Sequence, residues 1–180
     1  MGDYNIKKNV ALLVIDMQNA YLPGNEWECN KILKVVKNIE EKIKEFPLNQ
    51  IFFTKYIASE NPKGVWKEYN NVYSEINSNE NLNDYIKEIK KYITKNNSFI
   101  KSEYSSLSNL KLKNKLNEYE IIYVTGVVAE CCVLSTIFDL IDMGKKIIYC
   151  KEAIAGQKEE KEKAVIEVLK ALSPLHIIFK

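Results

Sequence analysis

The stretch IIYVTGVVAECCVLSTIFDLIDMGKKIIY, residues 121–149, decides the fold class. It begins with an apolar, β-branched run at residues 121–125 and ends with a second one at 146–149. Between these runs, apolar side chains recur at helical spacing up to a closing Gly144: Val133, Ile137, Leu140 and Ile141. A strand, a helix and a second strand in this order predict a crossover between parallel neighbours of one sheet.

The same alternation runs along the rest of the chain. Apolar runs predict six strands, at residues 10–15, 50–54, 98–101, 121–125, 146–149 and 175–179. The charged segments between them carry apolar stripes, as at Ile32, Val35, Val36, Ile39 and Ile43. The pattern predicts an α/β fold, a three-layer, Rossmann-like αβα sandwich around a six-stranded parallel sheet. Residues 56 to about 97 break the rhythm, and we interpret them as an insertion over the site.

Length and composition limit the classes of protein. With 180 residues and 46% hydrophobic content, the chain predicts one domain over residues 1–180. Its formal net charge of +2 gives no strong field, so we expect neither nucleic acid nor a membrane as partner. The apolar run before Asp16 is too short for a signal peptide or a membrane span, which predicts a cytoplasmic protein. The four cysteines lack CxxC spacing and are expected to be reduced.

Three reactive side chains follow predicted strands. Ligands of open parallel sheets bind beyond the carboxyl ends of the strands, where Asp16, Lys101 and Cys132 are expected. Singly, each has a plainer interpretation: a turn aspartate, a solvated lysine and an inert core cysteine. Together they predict a nucleophilic site, in which the carboxylate takes the thiol proton and the lysine cation stabilises the thiolate. The position of Cys132 in the first turn of a helix also favours thiolate.

Three motifs, in order, resemble those of the isochorismatase-like cysteine hydrolase superfamily, which includes nicotinamidases, isochorismatases and N-carbamoyl amide hydrolases. They are ALLVIDMQNAYL, FIKSEYSSL and VTGVVAECCVLSTIFDLIDMG, and the resemblance spans about residues 9–156. It implies an Asp-Lys-Cys triad, with Asp16 as general base, Lys101 as triad lysine and Cys132 as nucleophile. In the family the nucleophile lies six residues after the motif glycine, here Gly126. Cys131 is therefore expected to turn away from the acceptor site.

The resemblance also implies the surroundings of the nucleophile. A non-proline cis peptide is expected between Val127 and Val128, and an oxyanion hole from the N–H groups of Val128 and Cys132. The expected chemistry is attack on a small amide-like substrate through a covalent acyl-enzyme, with no cofactor. The protein is expected to form a homo-oligomer, a dimer or a tetramer. Candidates for contact with the substrate are Gln18, Tyr21, Tyr56, Trp66 and Tyr104.

The chain departs from the nicotinamidase pattern at the metal site. Nicotinamidases carry an aspartate and histidines after the second strand, whereas FFTKYIASENPKG, residues 52–64, has no histidine. Tyr56 and Ala58 stand near the expected ligand positions, and the single histidine, His176, cannot form a cluster alone. We therefore expect no metal, and a structural role for His176 in the last strand.

Other functions remain open at this point. An isochorismatase-type enzyme cleaves a vinyl ether without needing the cysteine, so family membership does not fix the bond. A catalytically silent binding protein on the same fold is a second alternative, against which the intact Asp16, Lys101 and Cys132 argue. A thiol redox role for Cys131 and Cys132 is disfavoured, because adjacent cysteines form only a strained disulfide.

Overall fold

Six parallel strands form the centre of the fold in a computed structural model, which describes residues 9–180. They are β1 Val10–Ile15, β2 Ile51–Tyr56, β3 Ser98–Lys101, β4 Ile121–Gly126, β5 Lys146–Ile154 and β6 Ile177–Phe179. Their order in the sheet is β3-β2-β1-β4-β5-β6. The prediction of a six-stranded parallel sheet is confirmed, although β5 is longer than predicted and β6 begins two residues later.

Helices cover both faces of the sheet. They are α1 Ile32–Lys44, α2 Trp66–Val72, α3 Ser74–Asn77, α4 Glu80–Asn83, α5 Lys87–Lys90, α6 Leu110–Asn117, α7 Leu134–Asp142 and α8 Glu159–Lys170. One buried cluster joins α1 and the helices of residues 57–97 to one face of the sheet, and a second joins α6, α7 and α8 to the other. Alternate β1 residues enter the two clusters, Leu12 the first and Leu13 the second, so β1 is apolar on both faces.

Residues 57–97 fold back onto the end of β1. Their four short helices, α2 to α5, are held there partly by the backbone. The Ile86 N–H donates to the Met17 carbonyl at 2.9 Å, and the Asn19 N–H donates to the Asp84 carbonyl at 2.9 Å. The predicted insertion therefore covers the edge of the sheet where the first strand ends.

The last strand is shorter than predicted, and its start leaves His176 outside it. His176 lies exposed in the turn before β6, not within the strand as predicted, and its backbone carbonyl accepts from the Ile147 N–H at 2.8 Å. Within residues 9–180, none of the helices has the length and apolar character needed to cross a membrane.

Candidate active site

The structure brings Asp16, Lys101 and Cys132 into contact. Asp16 Oδ2 lies 2.7 Å from Lys101 Nζ, which donates a hydrogen bond to Cys132 Sγ at 3.3 Å. The three residues are almost completely buried, with exposures of 0%, 3% and 4%. Lys101 therefore bridges the carboxylate and the thiol.

Strand ends explain this convergence. β1 lies between β2 and β4, so the residues that follow β1 and β4 meet at the carboxyl edge of the sheet. Lys101 ends β3, two strands away from β1, and its long side chain reaches across. Its ammonium also donates to the Glu103 carbonyl at 3.0 Å, which fixes the head of the side chain.

Thr54, in the middle strand of this group, holds the Asp16 carboxylate from the other side. The Thr54 hydroxyl donates to Asp16 Oδ1 at 2.7 Å, and the Thr54 carbonyl accepts from the Asp16 N–H at 3.2 Å. Asp16 itself adopts a left-handed backbone conformation, with φ of 50°. Sequence reasoning missed Thr54, because a β-branched residue in a strand carries no signal of its own.

The segment after β4 turns sharply before α7. It contains the expected cis peptide between Val127 and Val128. Cys132 lies in a π-helical turn, Ala129–Val133, that precedes α7, rather than in the first turn of an ordinary α-helix. The Val128 carbonyl accepts from the N–H of Cys131 at 3.0 Å and from that of Val133 at 3.1 Å.

The wide turn also corrects the expected direction of Cys131. A π-helical turn closes between residues five apart, so neighbouring side chains diverge by a smaller angle than in an α-helix. Both Cys131 and Cys132 line the same cavity, and Cys131 is half-buried there. The prediction that Cys131 turns away was wrong for this reason.

Burial dominates the electrostatics of the thiol. It raises the pKa of Cys132 to about 12, because the lowering effect of Lys101 is smaller than burial and the nearby Asp16 carboxylate raises the pKa further. This balance favours a protonated thiol in the resting site near neutral pH. Burial would lower the pKa of Lys101, but Asp16 and Cys132 outweigh it and raise that pKa above its ordinary value. Lys101 thus remains a cation.

A cavity of about 210 Å³ opens onto the thiol. Aromatic rings provide most of its wall, and among residues 9–180 none of the lining side chains is an aspartate, glutamate, lysine or arginine. The lining residues are Tyr21, Trp27, Tyr69, Tyr73, Tyr104, Val128, Cys131, Cys132 and Gln157. Tyr21 and Tyr104 were predicted; Trp27, Tyr69, Tyr73 and Gln157 were not. A larger groove, of about 740 Å³, lies at the opposite end of the sheet beside Phe52 and Tyr119, away from the three reactive side chains.

Three predicted contact residues lie behind the lining. The Gln18 side chain is 1% exposed and donates to the Tyr56 and Asn83 carbonyls, so its amide is used structurally. The Tyr56 ring lies 5.5 Å from Lys101 Nζ and supports the cation rather than the cavity. Trp66 packs its ring 4.9 Å from that of Tyr104. None of the three is among the residues that line the cavity, and their contact with a substrate stays a prediction.

The residues at the end of β2 do not fit a metal ion. No group of three histidine, cysteine, aspartate or glutamate side chains within residues 9–180 could hold one. The Tyr56 hydroxyl donates to Asn70 Oδ1 at 3.1 Å, and Ala58 offers no ligand atom.

Comparison with known proteins places the chain in a family. A family model described as the isochorismatase domain matches residues 10–175. None of the curated proteins searched matches the chain.

Solved structures share the fold. A pyrazinamidase of Pyrococcus horikoshii, determined in complex with zinc, has a TM-score of 0.72 and 21% identity over 96% of this chain and 98% of its own. A cysteine hydrolase from Pseudomonas syringae pv. phaseolicola has a TM-score of 0.77 and 16% identity over 96% and 88%. An N-carbamoylsarcosine amidase from Thermoplasma acidophilum has a TM-score of 0.70 and 17% identity over 96% and 95%. At these identities the likeness concerns the fold.

Proposed function

This chain belongs to the isochorismatase family of hydrolases, and on that premise we propose that it cleaves a C–N bond in a small amide-like substrate with Cys132 as nucleophile. One observation carries the proposal. The Lys101 ammonium contacts both Asp16 and Cys132, and the thiol lies at the wall of a cavity. A base, a cation and a nucleophile in mutual contact are what covalent catalysis at a carbonyl carbon requires.

The first half of the reaction forms a thioester. Asp16 accepts the thiol proton while Cys132 Sγ attacks the carbonyl carbon, and the oxygen of the tetrahedral intermediate is stabilised by the N–H groups of Val128 and Cys132. The intermediate collapses with loss of ammonia or an amine, which takes the proton back from Asp16. Lys101 keeps the thiolate stable during the transfer, because it is already within hydrogen-bond distance of the sulfur.

The second half releases the acid. Asp16 removes a proton from a water molecule that attacks the thioester carbon, and the same two N–H groups stabilise the second oxyanion. Collapse of this intermediate expels the Cys132 thiolate, which regains its proton from Asp16. The site returns to the protonated thiol that its raised pKa favours.

The cavity wall supports a compact, uncharged substrate. Burying a carboxylate without a partner costs several kcal/mol, and none of the lining residues is a cation. Lys101 is already paired with Asp16. Flat aromatic faces such as those of Tyr21 and Trp27, which stack with their centroids 5.8 Å apart, favour a planar amide.

An assay of a substrate panel tests the proposal. Wild-type protein is incubated with pyrazinamide, nicotinamide, a carbamoyl amide, a ureido compound and isochorismate, and ammonia and pyruvate are measured. We expect ammonia from an uncharged amide, and mass spectrometry should detect an acyl adduct on Cys132. Release of pyruvate from isochorismate would favour the vinyl-ether alternative, and no turnover at all would favour a silent binding protein.

Two serine variants make the assay specific. Cys132→Ser should lose at least about a thousandfold in kcat/KM. Cys150→Ser is the matched control, because Cys150 is also 4% exposed but lies in β5, outside the cavity wall. Its activity should remain close to that of the wild type. Full amidase activity in Cys132→Ser would contradict the proposal.

A further inference from the structure

We propose that Thr54 is a positioning residue, which fixes the orientation of the Asp16 carboxylate through the Thr54 hydroxyl. The inference rests on the proposed function, since it assigns Asp16 the role of proton acceptor. It adds a residue that contacts neither substrate nor sulfur and acts only through the base.

The direction of the hydrogen bond follows from its chemistry. A charged carboxylate only accepts, so the 2.7 Å contact uses the single hydroxyl proton of Thr54. Thr54 holds Oδ1 while Lys101 holds Oδ2 at 2.7 Å, and these two contacts at opposite oxygens fix the carboxylate plane. With both oxygens held, the carboxylate is oriented to receive the proton of Cys132, whose hydrogen bond with Asp16 raises the thiol pKa.

The position of Thr54 is as firmly set as that of Asp16. It is 0% exposed in β2, and its backbone carbonyl accepts from the Asp16 N–H. The residue therefore holds both the main chain and the side chain of Asp16. It does not belong to the cavity wall, so its loss should change chemistry rather than substrate binding.

Other ionisable groups near Asp16 leave this assignment intact. Lys101 and Cys132 face it from β3 and from the π-helical turn, and the tyrosines Tyr21 and Tyr85 face it from neighbouring segments. Burial raises the pKa of both tyrosines, so they stay neutral across the range in which a carboxylate titrates. Thr54 and Lys101 are thus the two neighbours that stabilise the negative charge.

The chain offers a matched control on the other side of β1. Thr125 in β4 is also 0% exposed, but its hydroxyl donates to the Leu13 carbonyl at 3.1 Å instead of to a carboxylate. Thr54→Val and Thr125→Val each replace a buried hydroxyl with a methyl group of similar size. Only Thr54→Val removes a charge-assisted hydrogen bond to the base.

The experiment measures the rate at which iodoacetamide alkylates Cys132 from pH 4 to pH 9, with peptide mapping by mass spectrometry. This readout needs no substrate, so it remains decisive even if the substrate panel shows no hydrolysis. The oriented Asp16 carboxylate holds the thiol proton through its hydrogen bond with Cys132. Thr54→Val should therefore raise the alkylation rate at pH 9 about threefold or more, because the carboxylate loses the donor that orients it toward the thiol. Thr125→Val and Thr54→Ser should keep the wild-type rate.

Hydrolysis gives a second readout once a substrate is known. Thr54→Val should lower kcat about tenfold or more with little change in KM. A wild-type alkylation rate and a wild-type kcat in Thr54→Val would overturn the proposal, as would equal changes in Thr125→Val. If Thr54→Val fails to fold, Thr54→Ser and Thr54→Ala replace it. Both lose the methyl group, and only the alanine variant should change the alkylation rate.

Discussion

Burial and the Lys101 cation act in opposite directions on the pKa of the Cys132 thiol. Burial raises its pKa and Asp16 raises it further, whereas Lys101 lowers it, and the result is a pKa of about 12. Near neutral pH the sulfur therefore keeps its proton until a base removes it. In the proposed mechanism, the carboxylate that disfavours a resting thiolate also accepts the proton, so a strong nucleophile would form only during attack.

This opposition predicts that Asp16→Asn separates alkylation from hydrolysis. Without the carboxylate, the Lys101 cation still stabilises the Cys132 thiolate and no nearby Asp16 charge opposes it. The pKa of the thiol should therefore fall below about 12. Iodoacetamide should then label Cys132 faster than in the wild type at pH 9. Hydrolysis should fall by about two to four orders of magnitude, because its proton carrier is gone.

Lys101→Met should have the opposite effect on the alkylation rate of Cys132. Removal of the cation that lowers the pKa of Cys132 should slow alkylation at pH 9, and hydrolysis should also fall. Peptide mapping of both variants measures the two rates at a single site. Slower alkylation in Asp16→Asn than in the wild type would show that the carboxylate does not hold the thiol protonated.

The raised pKa of Cys132 also predicts how stability depends on pH. An unfolded cysteine titrates near about 8.5, whereas the folded thiol titrates near about 12. The group stabilises the fold below the unfolded pKa, and this contribution is lost as the pH rises through the folded value. From pH 8.5 to 11, wild-type protein should therefore lose more unfolding free energy than Cys132→Ser. Denaturant titrations at both pH values measure the difference, and equal losses would contradict it.

At the scale of elements, the sequence predicts the frame of the site better than its wall. Apolar runs in the local sequence predict β1, β3 and β4. The ends of these strands in turn locate Asp16, Lys101 and the Cys132 segment. Tyr21 and Tyr104 of the aromatic wall were predicted, whereas Trp27, Tyr69 and Tyr73 were not, because the path of their segments depends on tertiary packing. The direction of Cys131 depended on a π-helical turn, which five residues of sequence do not reveal.

Gly126→Ala, at the end of β4 beside β1, should destabilise the fold severely. Gly126 has φ of +109°, and an added Cβ would fall onto the backbone of Ile15. Backbone cannot move aside as a flexible side chain can, so the cost should be about 3 kcal/mol or more. A fall of about 10 °C in Tm is expected by calorimetry.

Gly144→Ala is the control for backbone conformation alone. Gly144 also has positive φ, +77°, but no atom lies within 4 Å of its added Cβ. It should cost only about 1–2 kcal/mol. Equal losses of Tm in the two variants would mean that the close approach of β1 to Gly126 has no role.

A substitution in the insertion, residues 57–97, should affect substrate binding instead of stability. Tyr69 belongs to α2 and to the cavity wall, and its ring centroid lies 4.7 Å from that of Tyr73. Tyr69→Ala should raise KM about tenfold with a small change in kcat, because it removes apolar contact without touching the reacting atoms. Val72→Ala, at a site in the same helix that is 71% exposed, should leave KM unchanged. Steady-state kinetics decide between binding and chemistry, and a loss confined to kcat would contradict this role.

At the scale of the whole molecule, two buried clusters hold one sheet from both sides, and the reactive groups lie at the edge where the first, third and fourth strands end. The insertion closes that edge with neutral aromatic rings. Among residues 9–180, the charged side chains that are buried are Asp16 and Lys101, which pair with each other, and the described lining of the pocket is uncharged. In the proposed reaction, an uncharged substrate would meet this charge at the bond that is broken.

The side chains at the end of β2 predict that catalysis needs no bound metal. The residues at the end of β2 are Tyr56, whose ring lies against the Lys101 ammonium, and Ala58, and neither offers the nitrogen or carboxylate donors that zinc or iron prefers. Purified protein should contain well under one equivalent of zinc, iron or manganese by plasma mass spectrometry. Dialysis against a chelator should leave the hydrolysis rate unchanged, because Asp16, Lys101 and Cys132 supply base, cation and nucleophile themselves. A near-stoichiometric metal that is lost in Asp16→Asn, together with loss of activity on chelation, would show instead that the carboxylate is a ligand and that the neutral wall conceals a metal-dependent amidase.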